Sequence, residues 1–483
     1  MGVERQLPRP PAARSDRVES LPLRLSDRTS VNFDLEAQRT EGTADIGIPI
    51  VGGEIPDVPR TRNYGSPFDT SEQETGRLQI NLESVLGPRL TLRNKTYYTD
   101  QDWTSEGAIL GGVIPLPGSA LLLRLFGALH QETRVLGDQF DAILRLDSGS
   151  VQHELVAGIE AQELLVKANF DIGLLPPIDL LNPVETAQKP IVFLPGAGIA
   201  IDLQVRTLAP YVLDVMHFAG KWHLSLGGRL DAIDQQDDSS GLSEEETELS
   251  PFAGLLYTPT DRLSLYANYG EGFNPISLGV VSADPKPEKS RGAEIGIKTQ
   301  ALDGRLRTSA ALYQLKKNNI AIVDQTGVVA QLGDQESKGA EVEVSASLRP
   351  GLDALLVYGY TDATLTRFTR LDPLTGTILD FSGNAPTWAP KHVLNTWLGQ
   401  RFPNGIGVAG GIRHVGSRFV DEANLVSASS YTTLDATVSF ERPRWSTVLY
   451  LNNLTDADYE TRAFDAVIPA SGFNVKLAFR VMM

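Results

Sequence analysis

The chain has 483 residues, enough for two or three ordinary soluble domains or for one very large barrel. Its net charge of −17 leaves nothing to neutralise phosphates, which excludes a nucleic-acid partner. The lack of cysteine removes disulfide frameworks, thiolate metal sites and cysteine nucleophiles, and the dispersed histidines (130, 153, 217, 223, 392, 414) offer no paired spacing for zinc.

Residues 1–17 are basic and proline-rich with no apolar core of a signal peptide, and are expected to be an irregular tail. From residue 18 the dominant pattern is period-2 alternation, the mark of strands with one wet and one apolar face. Val31, Phe33, Leu35 and Ala37 alternate with Asn32, Asp34, Glu36 and Gln38. Leu78, Ile80 and Leu82 alternate with Gln79, Asn81 and Glu83. Residues 111–129 are apolar enough to be considered as a spanning helix, but Pro115 and Pro117 break the first half and Arg124 sits in the second. Trp222, Leu224, Leu226 and Leu230 oppose His223, Ser225, Arg229 and Asp231. The segment 231–248 holds eight carboxylates and is expected to be a solvated loop, since it lacks the Asp-x-Asp-x-Asp-Gly spacing of a calcium loop. Ala340, Val342, Val344, Ala346 and Leu348 oppose Glu341, Glu343, Ser345 and Ser347. In the last strand Phe473, Val475, Leu477, Phe479, Val481 and Met483 share one face.

Connections alternate in length. Tight turns at 300–305, 347–354, 401–406 and 441–446 are interspersed with long polar segments near 40–73, 168–201, 231–248, 270–289, 316–337, 366–390, 417–429 and 455–471. That rhythm is expected of an up-and-down barrel in an outer membrane, with short periplasmic turns and long extracellular loops. The alternation alone would also fit a soluble sheet. The loop rhythm and a count of about 19 strands favour the barrel. Tyr97, Tyr98, Tyr257, Tyr269, Tyr360, Phe440 and Trp445 lie where interfacial girdles would fall. No Gly-x-Ser-x-Gly elbow, P-loop or dinucleotide fingerprint is present, so an enzyme is not expected.

Three stretches resemble the barrel of TonB-dependent outer-membrane receptors, closest to the ferric-siderophore group. Residues 262–315, RLSLYANYGEGFNPISLG continuing to PEKSRGAEIGIKTQALDGRLRTSAALYQL, resemble that family's strand, aromatic-rich loop, Pro-Glu, hairpin passage. Residues 336–363, ESKGAEVEVSASLRPGLDALLVYGYTDA, resemble its Gly-Glu hairpin. Residues 431–459 with the C-terminal strand are similar to its closing passage, with Thr455 in place of the family's Phe in NNLTDADY. GIPIVGGEIPDVPRTRNYGSPFD (47–69) resembles a receptor's extracellular loop.

The resemblance implies an all-β, antiparallel transmembrane barrel of the 22-strand type over 18–483, in the outer membrane of a Gram-negative bacterium. Its surroundings would be membrane lipid and lipopolysaccharide, its ligand a ferric siderophore, and it would need no covalent cofactor and no metal site of its own. The family's signal peptide, TonB box and plug have no counterpart in these residues, and the first strand here falls at the family's fourth position. The expectation is therefore a truncated receptor, with TonB engaged only through an upstream plug. The alternatives are a plugless passive pore or structural remnant, or a receptor for a vitamin, haem or carbohydrate. Met483 stands where such barrels usually end in an aromatic residue. Iron chelates of catechol or hydroxamate type favour aromatic and cationic loop residues. The candidates are Tyr64, Phe68, Trp103, Phe273, Asn274, Phe368, Phe381 and Trp388.

Overall fold

A computed structural model describes residues 15–43, 45–190, 193–276, 278, 280–281, 285–323, 329–371, 376–462 and 466–481. One antiparallel sheet dominates it. Of the sheet's 22 segments, Ile178–Asp179, Val280–Val281 and Ile378–Asp380 are two or three residues long. The other 19 form a ladder in which each strand pairs with its neighbours in sequence, from Ser15–Arg24 to Asn474–Val481. The first strand begins at Ser15, within the segment expected to be a tail. Antiparallel closure needs an even number of strands. Accordingly, among the described residues Ser15–Arg24 pairs only with Thr29–Gly42, and Asn474–Val481 only with Trp445–Asn452.

The exposed face settles what the strands pack against. Leu477 is 73 % exposed and Phe479 66 %. Sideways along the register run Leu477, Leu449, Val438 and Val408, an apolar row crossing four strands. A soluble sheet would bury that row. Here the largest fully buried side chains include Tyr64, Phe126, Leu122, Ile178 and Val467, all at the end of the molecule that carries the long loops. Among the described residues the buried apolar clusters lie toward the loop end and not along the wall, as expected of a barrel whose apolar face meets lipid and whose lumen is polar. Across the lumen face Tyr97 donates to Glu160 (2.8 Å), and Arg229 bridges Glu160 (2.6 Å) and Asp231 (2.8 Å).

Aromatic rings on the lumen face lie directly over cross-strand glycines. Tyr97 covers Gly137, Tyr211 covers Gly158, Tyr266 covers Gly296, Tyr313 covers Gly339 and Trp397 covers Gly411. A Cβ on any of these glycines would overlap the ring. Such pairs cover bare backbone and pin the register of their strands. Tyr97 therefore belongs to the lumen, not to a girdle. A girdle does stand beside the short turns. Trp222 stacks on Tyr257 (4.2 Å between centroids), and Trp445 contacts Phe440 (5.4 Å) and Phe479 (5.9 Å).

Two expected loops are strands instead. The acidic segment 231–248 is the upper part of a hairpin, Trp222–Asp237 and Leu242–Thr260. Its turn is capped by Asp237, which accepts hydrogen bonds from Ser239 and Ser240. Burial would raise that carboxyl's pKa, but the bonds outweigh it and hold it at about 2. The segment 316–337 belongs to Leu306–Val323 and Val329–Arg349, with 324–328 outside the described residues. The alternation of loop length thus gives way, in places, to an alternation of strand height.

The apolar run 111–129 is the tip of the tallest hairpin, Leu90–Leu116 and Ser119–Ser148. These strands have 27 and 30 residues, against roughly 9–11 needed to span a bilayer. Their upper halves therefore project beyond the membrane. Pro117 and Gly118 (φ 79°) make the turn, the order that a type II turn requires. No helix among the described residues is long and apolar enough to cross a membrane. The tip is apolar because it is the core of the structure described next.

Candidate functional site

The outer loops form a folded cap. Its core joins Ile48 and Tyr64 from residues 43–69, Ala120 and Leu122 from the tall hairpin, Ile178 and Leu180 from 175–198, and Val467 from the last loop. Trp388 and Val420, from two further loops, pack against it. The cap also ties the two ends of the ladder together. Ile48–Pro49 of the first long loop pairs with Ala466–Val467 of the last one, and Arg60 bonds Asp456 (2.9 Å) and Asp458 (3.1 Å).

Arg124 is the hub of the cap, and its side chain is fully buried. It donates to the carbonyls of Tyr64 (3.0 Å), Gly65 (2.9 Å) and Pro176 (3.1 Å) and pairs with Glu185 at 2.6 Å. A buried guanidinium needs this degree of saturation. Asp69 fastens the same loop, accepting from Ser66 and from the Ala108 N–H. Burial pushes its pKa up, against the pull of those bonds.

Beside the cap core lies a cavity of about 1030 Å³ between the first long loop and the last two. Glu54, Asp57, Arg60, Leu425, Asp458 and Glu460 line it, and Tyr459 forms part of its wall. Tyr459 stacks on Tyr431 with ring centroids 3.9 Å apart. Arg418 lies over Trp388 (5.3 Å) and over Tyr431 (5.2 Å), and donates to the carbonyls of Ser429 and Glu460. Burial lowers its pKa, partly offset by Tyr431 and Glu460. This aromatic and cationic cluster contains no nucleophile–base pair; what it can do is hold a ligand.

The candidates read from sequence separate into three groups. Tyr64 has no exposed surface, and its hydroxyl donates to the Leu180 carbonyl (2.7 Å). Phe368 and Phe381 are buried against Leu365, and Phe68 packs edge-on against Phe126 (5.5 Å). These four build the loops. Trp103, on the tall hairpin, donates to Ser71 Oγ (3.0 Å) of the adjacent strand Thr70–Gly87, and Asn274, next to the half-buried Phe273, donates to Glu288 (3.0 Å). Only Trp388 adjoins the cluster around Arg418. Sequence reasoning passed over Arg60, Arg418, Tyr431 and Tyr459. Tyr431 and Tyr459 bound one of the stretches that resemble the receptors, but nothing local shows that their rings stack.

The chain matches the family model "TonB dependent receptor-like, beta-barrel" over residues 19–454. It is 27 % identical over 463 residues to the ferrioxamine B receptor of Salmonella typhimurium, covering 91 % of this chain and 63 % of that protein. It is 28 % identical to the ferrichrome outer membrane transporter/phage receptor of Escherichia coli, covering 88 % of this chain and 60 % of the other. The chain thus spans about three-fifths of the length of the curated relatives it matches. Among solved structures, the siderophore receptor PiuA of Acinetobacter baumannii superposes with a TM-score of 0.82 at 21 % identity, over 96 % of this chain and 73 % of that one. The ferric-catecholate import receptor Fiu of E. coli gives 0.81 at 19 % identity, over 99 % and 75 %. At such identities these superpositions show the fold. The family consists of non-enzymatic transport barrels, and the match extends from the first strand to the closing hairpin. The chain belongs to the TonB-dependent receptors, as the outer-membrane β-barrel of that family from Gram-negative bacteria.

Proposed function

We propose that the chain is the barrel of a receptor that takes up a ferric siderophore, with the loop cap as the part that meets the chelate. The observation that carries this is the cavity of about 1030 Å³, walled by three loops and bordered by Tyr459, Tyr431 and Arg418. That size and that mix of rings and polar groups suit a compact chelate. The curated relatives include receptors named for ferrioxamine B and for metal-pseudopaline, which supports a metal chelate as the ligand class. Binding of a vitamin, haem or carbohydrate by the chain in detergent, with no binding of ferric siderophores, would replace this ligand class.

Energised uptake in this reading requires a plug and a TonB box, and the match is to the barrel alone. The 483 residues by themselves are therefore expected to bind chelate without sustaining transport. Expressed in a receptor-null strain, they should not restore growth on a ferric siderophore as sole iron source. Restored growth would refute the assignment of these residues as a form not competent alone.

A further inference from the structure

We propose that the cavity between the first and last outer loops selects its chelate by charge, taking a neutral or cationic hydroxamate complex in preference to a trianionic tris-catecholate. The proposal rests on the receptor reading above and adds the ligand class. Three singly charged hydroxamates neutralise ferric iron, and a pendant amine makes the complex cationic. Three doubly charged catecholates leave it trianionic.

The lining is acidic. Glu54, Asp57, Asp458 and Glu460 contribute carboxylates, and Arg60 is the one cation among the described lining residues. Arg60 is already engaged by Asp456 and Asp458. The neighbouring Arg418 spends N–H groups on two backbone carbonyls between two aromatic faces. Among the described lining residues carboxylates therefore outnumber cations, an unfavourable field for a trianion. A unit charge at about 8 Å from a carboxylate alters affinity by roughly two- to thirty-fold, from water-like to surface-like dielectric.

One further feature matches a hydroxamate scaffold. Leu425 lines the cavity while 81 % exposed. It is held out by Asp421, whose carboxylate accepts the N–H groups of Leu425 (3.2 Å) and Val426 (2.7 Å). Such a side chain offers apolar contact to the methylene spacers of a linear chelate.

The test is binding by the full chain in detergent to three probes at low and physiological salt. The probes are a ferric linear trihydroxamate with a free amine, a neutral ferric cyclic trihydroxamate and a ferric tris-catecholate. The expected order is cationic, then neutral, with the trianion about tenfold or more weaker. Glu54 and Asp57 are exposed, so the double variant Glu54→Gln/Asp57→Asn leaves the cap core intact. It should weaken the cationic probe about three- to tenfold and leave the trianion unchanged or tighter. Tightest binding of the trianion, or equal weakening of all probes in the variant, overturns the charge assignment alone. Binding of none of the three overturns the receptor reading and this proposal with it.

Discussion

At the scale of the residue, the outer cap depends on one side chain. Arg124 lies in a run that looks like a damaged spanning helix, and its charge there reads as an obstacle. Folded, it is the group on which two loops converge. Replacing it with methionine would strand Glu185 and three carbonyls. Breaking one side of a buried pair costs about 3–5 kcal/mol. The loss should be local, because each wall strand pairs with its sequence neighbours and the contacts that join the two ends of the ladder, Ile48–Pro49 with Ala466–Val467 and Arg60 with Asp456 and Asp458, do not include Arg124. Hydrogen exchange on Arg124→Met is expected to show residues 43–69 and 175–198 deprotected while the strand ladder stays protected. Unchanged protection of both loops would remove Arg124 as the hub.

At the scale of the element, the strands were legible and their ends were not. Period-2 alternation marks a strand wherever one face is apolar, and that held from Val31 to Val481. It cannot say where a hairpin leaves the membrane, since the pleat continues into water with both faces polar. Residues 231–248 therefore read as a loop but pair as strands. Register was also hidden, because it rests on pairs such as Tyr97 over Gly137. Gly137→Ala should cost about 1–3 kcal/mol through overpacking. Adding Tyr97→Ala should recover part of that loss, because the clash is with the ring. Urea unfolding of the single and double variants in detergent checks this; strictly additive losses would mean that the ring and the glycine are not coupled.

At the scale of the whole molecule, the described residues leave the ladder with two edges, which the cap joins on the outer side. Backbone groups left unpaired in lipid cost several kcal/mol each, so these edges are the costly part of the assembly. The lumen is polar, with Lys476 and Arg480 exposed on the last strand opposite Leu477 and Phe479. This observation favours a second reading, a passive pore, for these residues alone. In planar bilayers the chain is expected to conduct ions. A silent membrane would mean that the wall closes its lumen with its own loops.

The order of residues alone determined the apolar and polar face of each strand and the count of about 19, because these rest on a pattern that repeats every second residue along the chain; the barrel and the family came from the rhythm of the connections and from the stretches that resemble the receptors. Tertiary structure decided which aromatic side chains are exposed. Tyr64 looks from sequence like a ligand contact, and it is buried because its hydroxyl meets the carbonyl of a residue 116 positions away. Arg60 looks unremarkable, and it lines the cavity because its partner Asp456 lies 396 positions away. Loop burial is a property of which loops meet. Contacts between distant segments set that, and no local periodicity records them.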